Sequence, residues 1–267
     1  MDLGPEENWF FSENRRRGLP RRTSSPKVIR SLVRQAATAK PISLRMVSML
    51  KPKLRVKAII FDLDGTLVDS RGAYREAAEM AFASAGQGKV DARSVTEIPR
   101  RLEENLPIED LIMGAGVKRF KEIYLRAYYR ATAEKTRPFS NVTATLERLS
   151  SRALLAVTTR RNVPEVEVRR ELAKFGLAKY FRKIVTSQDT LKPKPSPEAL
   201  IKCAEHLGVR MSDCAVVGDS VIDVRAGKSA GAHTIAVLTG IFTREELERE
   251  KPDLILQDVS ELPEFLE

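Results

Sequence analysis

Asp62 and Asp64 stand one residue apart in the stretch IIFDLDGTLVDS, directly after an apolar run, and a third carboxylate, Asp69, follows five residues later. Two like charges at the mouth of a buried segment repel one another and lose hydration, so the pattern calls for a cation or a shared proton. A calcium-binding loop also opens D-x-D. It needs Gly at its sixth position and Glu at its twelfth, which here are Leu67 and Ala73. Other apparent motifs fail in the same way. Gly227-Lys228-Ser229 resembles the end of a nucleotide-binding phosphate loop, but the earlier glycine falls on Ile222. Gly114-Ala115-Gly116 lacks its third glycine, which falls on Arg119, and the Asn141-Val142-Thr143 sequon has no meaning in a cytoplasmic protein.

The carboxylates have to be held by something. From residue 56 onward short apolar runs alternate with amphipathic segments. The runs at 56–61, 153–157, 183–187, 214–218, 233–237 and 253–256 mostly lack polar alternation, as strands covered on both faces do. Segments of helical length lie between them, at 143–151, 164–175, 197–207, 223–230 and 243–250, with a last one from 259; Pro164 and Pro197 stand where helices begin. This alternation predicts an α/β fold, a Rossmann-like doubly wound parallel sheet. Residues 70–138 break the rhythm with helix-like text only, which predicts an inserted helical cap; the core is then 56–69 with 139–267. In open parallel sheets ligands bind beyond the carboxyl ends of the strands, where such an insertion would roof the site.

A polar residue follows each of four predicted strands. Asp62 and Asp64 follow the first, Thr158 and Thr159 the second, Lys192 lies a few residues past the third, and Asp219 and Asp223 follow the fourth. A parallel sheet brings all of them to one edge.

The basic charge belongs elsewhere. The 267 residues carry a formal net charge of +10, but residues 1–55 hold 13 Lys and Arg against 4 Asp and Glu, leaving 33 against 32 for the rest. This leader, rich in Arg, Ser and Pro, is expected to be a disordered N-terminal extension. It reads as a dispensable tail, or as the product of an early start codon with Met46 or Met49 as alternative starts. Asp2, Glu6, Glu7 and Glu13 argue against a transit peptide. Two cysteines cannot build a disulfide framework and favour a reducing, cytoplasmic location; no stretch is long and apolar enough for a membrane span.

FDLDGTLVDS, AVTTR, LKPKPSPEAL and AVVGDSVIDVRAGKSAG, in this order and spacing, resemble the haloacid dehalogenase superfamily, in its phosphoglycolate phosphatase-like branch with a helical cap. The resemblance spans residues 56–267; the cap carries no matching motif. It implies a magnesium-dependent phosphatase acting on a small phosphate monoester, with 2-phosphoglycolate as the default. Asp62 would be the nucleophile and form an aspartyl phosphate. Asp64 would protonate the leaving group and then act as base, with its proton affinity raised by the neighbouring carboxylate. Magnesium would be held by Asp62, Asp219 and the backbone carbonyl of Asp64. Thr158, the backbone at Thr159, and Lys192 would bind phosphate, Lys192 being preferred to Lys194 because it begins the full K-P-x-P-x-P pattern, and Asp223 would orient the lysine. Asp69 would belong to the turn into the cap. Dehalogenases and phosphonatases lack the second aspartate, which is present here. Two alternatives stay open: a sugar-phosphate mutase of the same superfamily, and a non-catalytic regulatory or nucleic-acid-binding protein that uses the leader. No membrane or nucleic-acid partner is expected for the folded body.

Overall fold

The computed structural model describes residues 53–112 and 116–267, so the expectations for the leader lie almost wholly outside the described residues. The central element is β1 (Ala58–Phe61), whose four side chains are all buried. Ile59 and Phe61 enter one apolar layer with Leu146, Val157, Leu172 and Val217. Ala58 and Ile60 enter another with Ala156, Leu200, Cys203 and Val216. A strand packed on both faces has no solvent side, which is why its sequence shows no polar alternation.

After β1 the chain makes the two-residue strand β2 (Val68–Asp69), then three helices, α1 (Arg71–Ser84), α2 (Ala92–Glu103) and α3 (Val117–Lys135), and returns through β3 (Arg137–Pro138). The rest alternates: α4 (Val142–Ser150), β4 (Leu154–Thr158), α5 (Glu165–Lys174), β5 (Phe181–Val185), α6 (Glu198–Leu207), β6 (Cys214–Gly218), α7 (Val221–Ala230), β7 (His233–Val237), α8 (Arg244–Arg249) and β8 (Leu254–Leu256). Six strands form one parallel sheet in the order β5-β4-β1-β6-β7-β8. The order reverses direction at β1, so the crevice beyond β1 and β6 is the place where such sheets bind ligands.

Two details differ from expectation. β2 and β3 pair antiparallel, Val68 with Pro138 and Asp69 with Arg137, so both crossings into the helical insertion run through one small ribbon. Two residues per strand are too few to leave a sequence pattern. The last segment, Val259–Glu264, is a 3-10 helix rather than an α-helix; it contains Pro263, whose missing N–H cannot extend an α-helical ladder. Pro164 and Pro197 sit at the N-cap, one residue before their helices.

The inserted helices have an apolar cluster of their own, in which Ala73, Ala77, Ala78 and Ala81 of α1 join Phe120, Tyr124, Ala127 and Tyr128 of α3. Tyr74 stacks on Tyr128 with ring centres 5.3 Å apart. The insertion also touches the sheet side. Arg100 pairs with Glu246, Arg225 lies 3.5 Å from Glu104, Arg160 donates to the Glu103 carbonyl, and the Asn162 N–H donates to the Tyr129 hydroxyl at 3.1 Å.

Candidate active site

Asp62 leaves β1 at the sheet edge, and its backbone N–H donates to the Val217 carbonyl of β6 at 2.8 Å, which continues the strand register into the site. Its carboxylate accepts from Lys194 Nζ at 2.6 Å. The same ammonium donates to Asp223 Oδ1 at 2.8 Å and to the Thr158 carbonyl at 3.3 Å. One buried cation thus joins residues from β1, β4 and the start of α7.

This corrects the choice of lysine. Lys192 is exposed, and the backbone N–H groups of Leu191 and Lys192 both donate to the Glu198 carboxylate, which fixes that stretch on the surface. Lys194, only 3% exposed, is the one that turns inward. The longer proline pattern decided nothing about side-chain direction.

Asp219 follows β6 and is buried. Thr66 Oγ1 donates to it at 2.8 Å, and three backbone approaches leave no space around the neighbouring carboxylates. A Cβ on Gly65 would lie 2.4 Å from Asp219 Oδ2, one on Gly240 1.7 Å from the same atom, and one on Gly218 2.3 Å from Asp223 Cγ. Asp223 closes the N-terminus of α7 by accepting from the Ser220 N–H and hydroxyl, besides holding Lys194. Oxygens of Asp62, Asp219 and Asp223 lie within 4.8 Å of one another. Asp223 is already engaged on both oxygens, which leaves Asp62 and Asp219 as the pair free to hold a cation.

Burial and neighbouring carboxylates disfavour the ionised forms of this cluster. Burial pushes the Asp62 carboxyl up to about 7, Lys194 pulls against that, and Asp223 adds to the rise. Burial, then Asp62, Glu103 and Asp223, push Asp219 well above the ordinary carboxylate range. Glu103, at the end of α2, is raised for the same reasons, by burial first and then by Asp62 and Asp223. Lys194 alone does not balance these groups. A hard, oxygen-seeking divalent ion such as magnesium fits the donor set.

Asp64 behaves in the opposite way to expectation. Burial works to raise its proton affinity, but the Arg161 guanidinium holds the carboxyl below its ordinary range. Arg161 Nε donates to Oδ2 at 2.8 Å and Nη2 to Oδ1 at 2.6 Å, while Ser70 and Tyr128 add hydrogen bonds. The neighbouring carboxylate is outweighed by a cation 97 positions away in sequence. Thr158 is the last residue of β4, fully buried, and its Oγ1 has no hydrogen-bond partner among the described residues. The Thr159 N–H, expected at the phosphate, instead donates to the Val185 carbonyl of β5 at 3.0 Å, and Thr159 Oγ1 accepts from the Arg161 N–H at 3.2 Å. Asp69 lies in β2, where Oδ1 accepts from the Arg71 N–H at 3.0 Å beside the start of α1, away from these groups.

A cavity of about 360 Å³ opens onto Asp62, Asp64, Asp219 and Asp223 from the sheet side. Glu103, Tyr124 and Lys121 close it from the helical side. The sequence singled out neither Arg161, Glu103, Tyr128 nor Thr66. Only Arg161 carried a local signal, standing three residues past the strand that ends in Thr158.

A Rossmann-like sheet with helices inserted after its first strand, and carboxylates and a lysine gathered at its carboxyl edge, defines an α/β protein with an acidic site at its topological switch point. The sequence matches the family described as "Haloacid dehalogenase-like hydrolase" over residues 59–237, and the chain belongs to that family. It is similar to the phosphoglycolate phosphatase of Escherichia coli, 29% identical over 231 residues that cover 78% of this chain and 91% of the relative. A protein of Caldanaerobacter subterraneus named "Putative pyrophosphatase PpaX" is 33% identical over 220 residues, 78% of this chain and 94% of its own. Among solved structures, the "putative beta-phosphoglucomutase from Thermotoga maritima" superposes with a TM-score of 0.59 at 26% identity, covering 77% of this chain and 96% of that one.

Proposed function

We propose that the protein is a magnesium-dependent phosphatase that hydrolyses a small phosphate monoester through an aspartyl phosphate on Asp62. The observation that carries this reading is the convergence on one buried point of Asp62, Asp219 and Lys194, where the same lysine also reaches the Thr158 carbonyl at the end of β4. Magnesium, held by Asp62 and Asp219, would neutralise phosphoryl charge. An Asp62 oxygen attacks phosphorus as the bond to the leaving oxygen breaks, and Asp64, whose ionised form the Arg161 contact favours in the free protein, takes up a proton as the phosphate dianion binds beside it and delivers that proton to the leaving oxygen. Water then attacks the aspartyl phosphate and gives a proton to Asp64, which releases inorganic phosphate and restores the Asp62 carboxylate. Thr158 Oγ1 donates to one phosphoryl oxygen and Lys194 Nζ supplies charge to another.

Residues 70–138 act in this reading as a cap over the site. Lys121 and Arg160 line the cavity and offer positive charge to a substrate carboxylate, so 2-phosphoglycolate is the first compound to try. The buried free thiols of Cys203 and Cys214 suit a reducing, cytoplasmic setting; no described helix is long and apolar enough to cross a membrane. Release of inorganic phosphate from p-nitrophenyl phosphate in the presence of magnesium tests the proposal. Asp62→Asn should abolish it, and retention of more than a few per cent of turnover refutes the nucleophile. A mutase reading draws on the likeness to the Thermotoga structure. It predicts transfer within a sugar phosphate without net phosphate release, so product analysis separates the two.

A further inference from the structure

We propose that Arg161 is the positioning residue of Asp64, held for that task by Glu171 and Thr136 so that the proton-carrying carboxylate is aligned from the ribbon through which the cap joins the core. The proposal rests on the reading of Asp64 as the proton carrier.

The geometry is that of a clamp. Arg161 meets Asp64 edge to edge, at 2.8 and 2.6 Å, and only 3% of its surface is exposed. Its other edge meets Glu171 of α5, itself 8% exposed. Thr136 Oγ1 lies 2.8 Å from the Glu171 carboxylate and 2.6 Å from the Thr132 carbonyl, so its one proton is shared between them. Thr136 is fully buried at the junction of α3 and β3, where the inserted helices return to the sheet. At the other crossing Ser70, which precedes α1, donates to the same Asp64 carboxylate, and Tyr128 of α3 hydrogen-bonds to it as well. Among the described residues, the hydrogen bonds on the Asp64 carboxylate come from a crossing, from the inserted helices and from the buried arginine.

A buried row of negative, positive and negative groups loses much hydration and is poor as a stabilising device, because apolar side chains of similar volume would serve the fold as well. What it supplies is orientation. A guanidinium can grip two carboxylates in fixed planes at once, which an ammonium cannot. Proton delivery to a leaving oxygen is sensitive to displacements of about 1 Å.

The experiment compares two aryl phosphates of similar shape. Phenoxide needs a proton as it leaves, whereas p-nitrophenoxide departs without one. In the presence of magnesium, kcat/KM reports the steps up to formation of the aspartyl phosphate. Arg161→Lys keeps the charge but loses the two-edged grip. We expect it to lower kcat/KM for phenyl phosphate about tenfold more than for p-nitrophenyl phosphate. Glu171→Gln, which keeps the Thr136 bond, is expected to act in the same direction with a smaller effect, and it preserves the test if the lysine variant does not fold. Equal losses on the two esters, or no loss, overturn the assignment, since a purely structural or substrate-binding arginine would not distinguish leaving groups. A wild-type protein that hydrolyses neither ester removes the phosphatase reading and this one together, whereas equal losses remove only this one.

Discussion

Lys192 and Lys194 belong to the same Lys-Pro repeat, yet one donates its backbone N–H to Glu198 at the surface and the other binds Asp62 and Asp223 inside. Lys194→Met should therefore lower kcat/KM by about a hundredfold or more, the scale of losing one preorganised positive group at developing charge. Lys192→Met should leave it within about twofold; steady-state kinetics on the pair decide which lysine serves the site. Asp62 makes a second prediction, on pH. Its folded pKa of about 7 lies above the ordinary 3.8. Its contribution to stability is complete below the ordinary value and is lost as the pH rises through about 7. Melting of the EDTA-treated protein should accordingly fall between about pH 5.5 and pH 8 from this group, and magnesium should restore stability mainly at the upper end. A magnesium effect equal at both pH values would contradict the placement of the ion at Asp62.

The parallel strands were readable because most are apolar runs without polar alternation, and the three inserted helices because residues 117–135, for example, carry helical spacing without a strand-like interval. Strand ends then located Asp62, Thr158 and Asp219 without knowledge of any contact. The remainder of the site depends on where side chains turn and on pairings between distant segments. Arg161 reaches Asp64 across 97 positions, and no local pattern records that. Lys194 meets Asp62 and Asp223 across 132 and 29 positions, and no local pattern records that either. The glycine contacts were equally hidden. Gly240 looks like an ordinary loop residue, but its backbone presses on Asp219 so closely that a methyl group would overlap Oδ2. Gly240→Ala is expected to displace that carboxylate and raise the magnesium concentration needed for half-maximal activity by about tenfold or more, with the sheet intact by circular dichroism. An unchanged magnesium titration would show that Asp219 is not a ligand.

Across the molecule, every charged side chain assigned to the site lies between Asp62 and Asp223, and the ends of the described part meet each other. The Leu54 N–H donates to the Phe265 carbonyl at 2.8 Å, and the Glu267 N–H to the Leu54 carbonyl at 3.1 Å. A protein beginning at Lys53 should thus keep kcat/KM within about twofold, whereas one beginning at Lys57 should melt earlier because the C-terminal residues lose those partners. The Thr158 hydroxyl carries the last consequence. A buried donor without a partner is a debt of the free protein that a bound oxyanion settles, so stability and activity should trade against each other at this one atom. Thr158→Val keeps the shape and removes the need. It should melt at the same or a higher temperature than wild type when free, and lose most of the rise that vanadate or inorganic phosphate gives the wild type with magnesium.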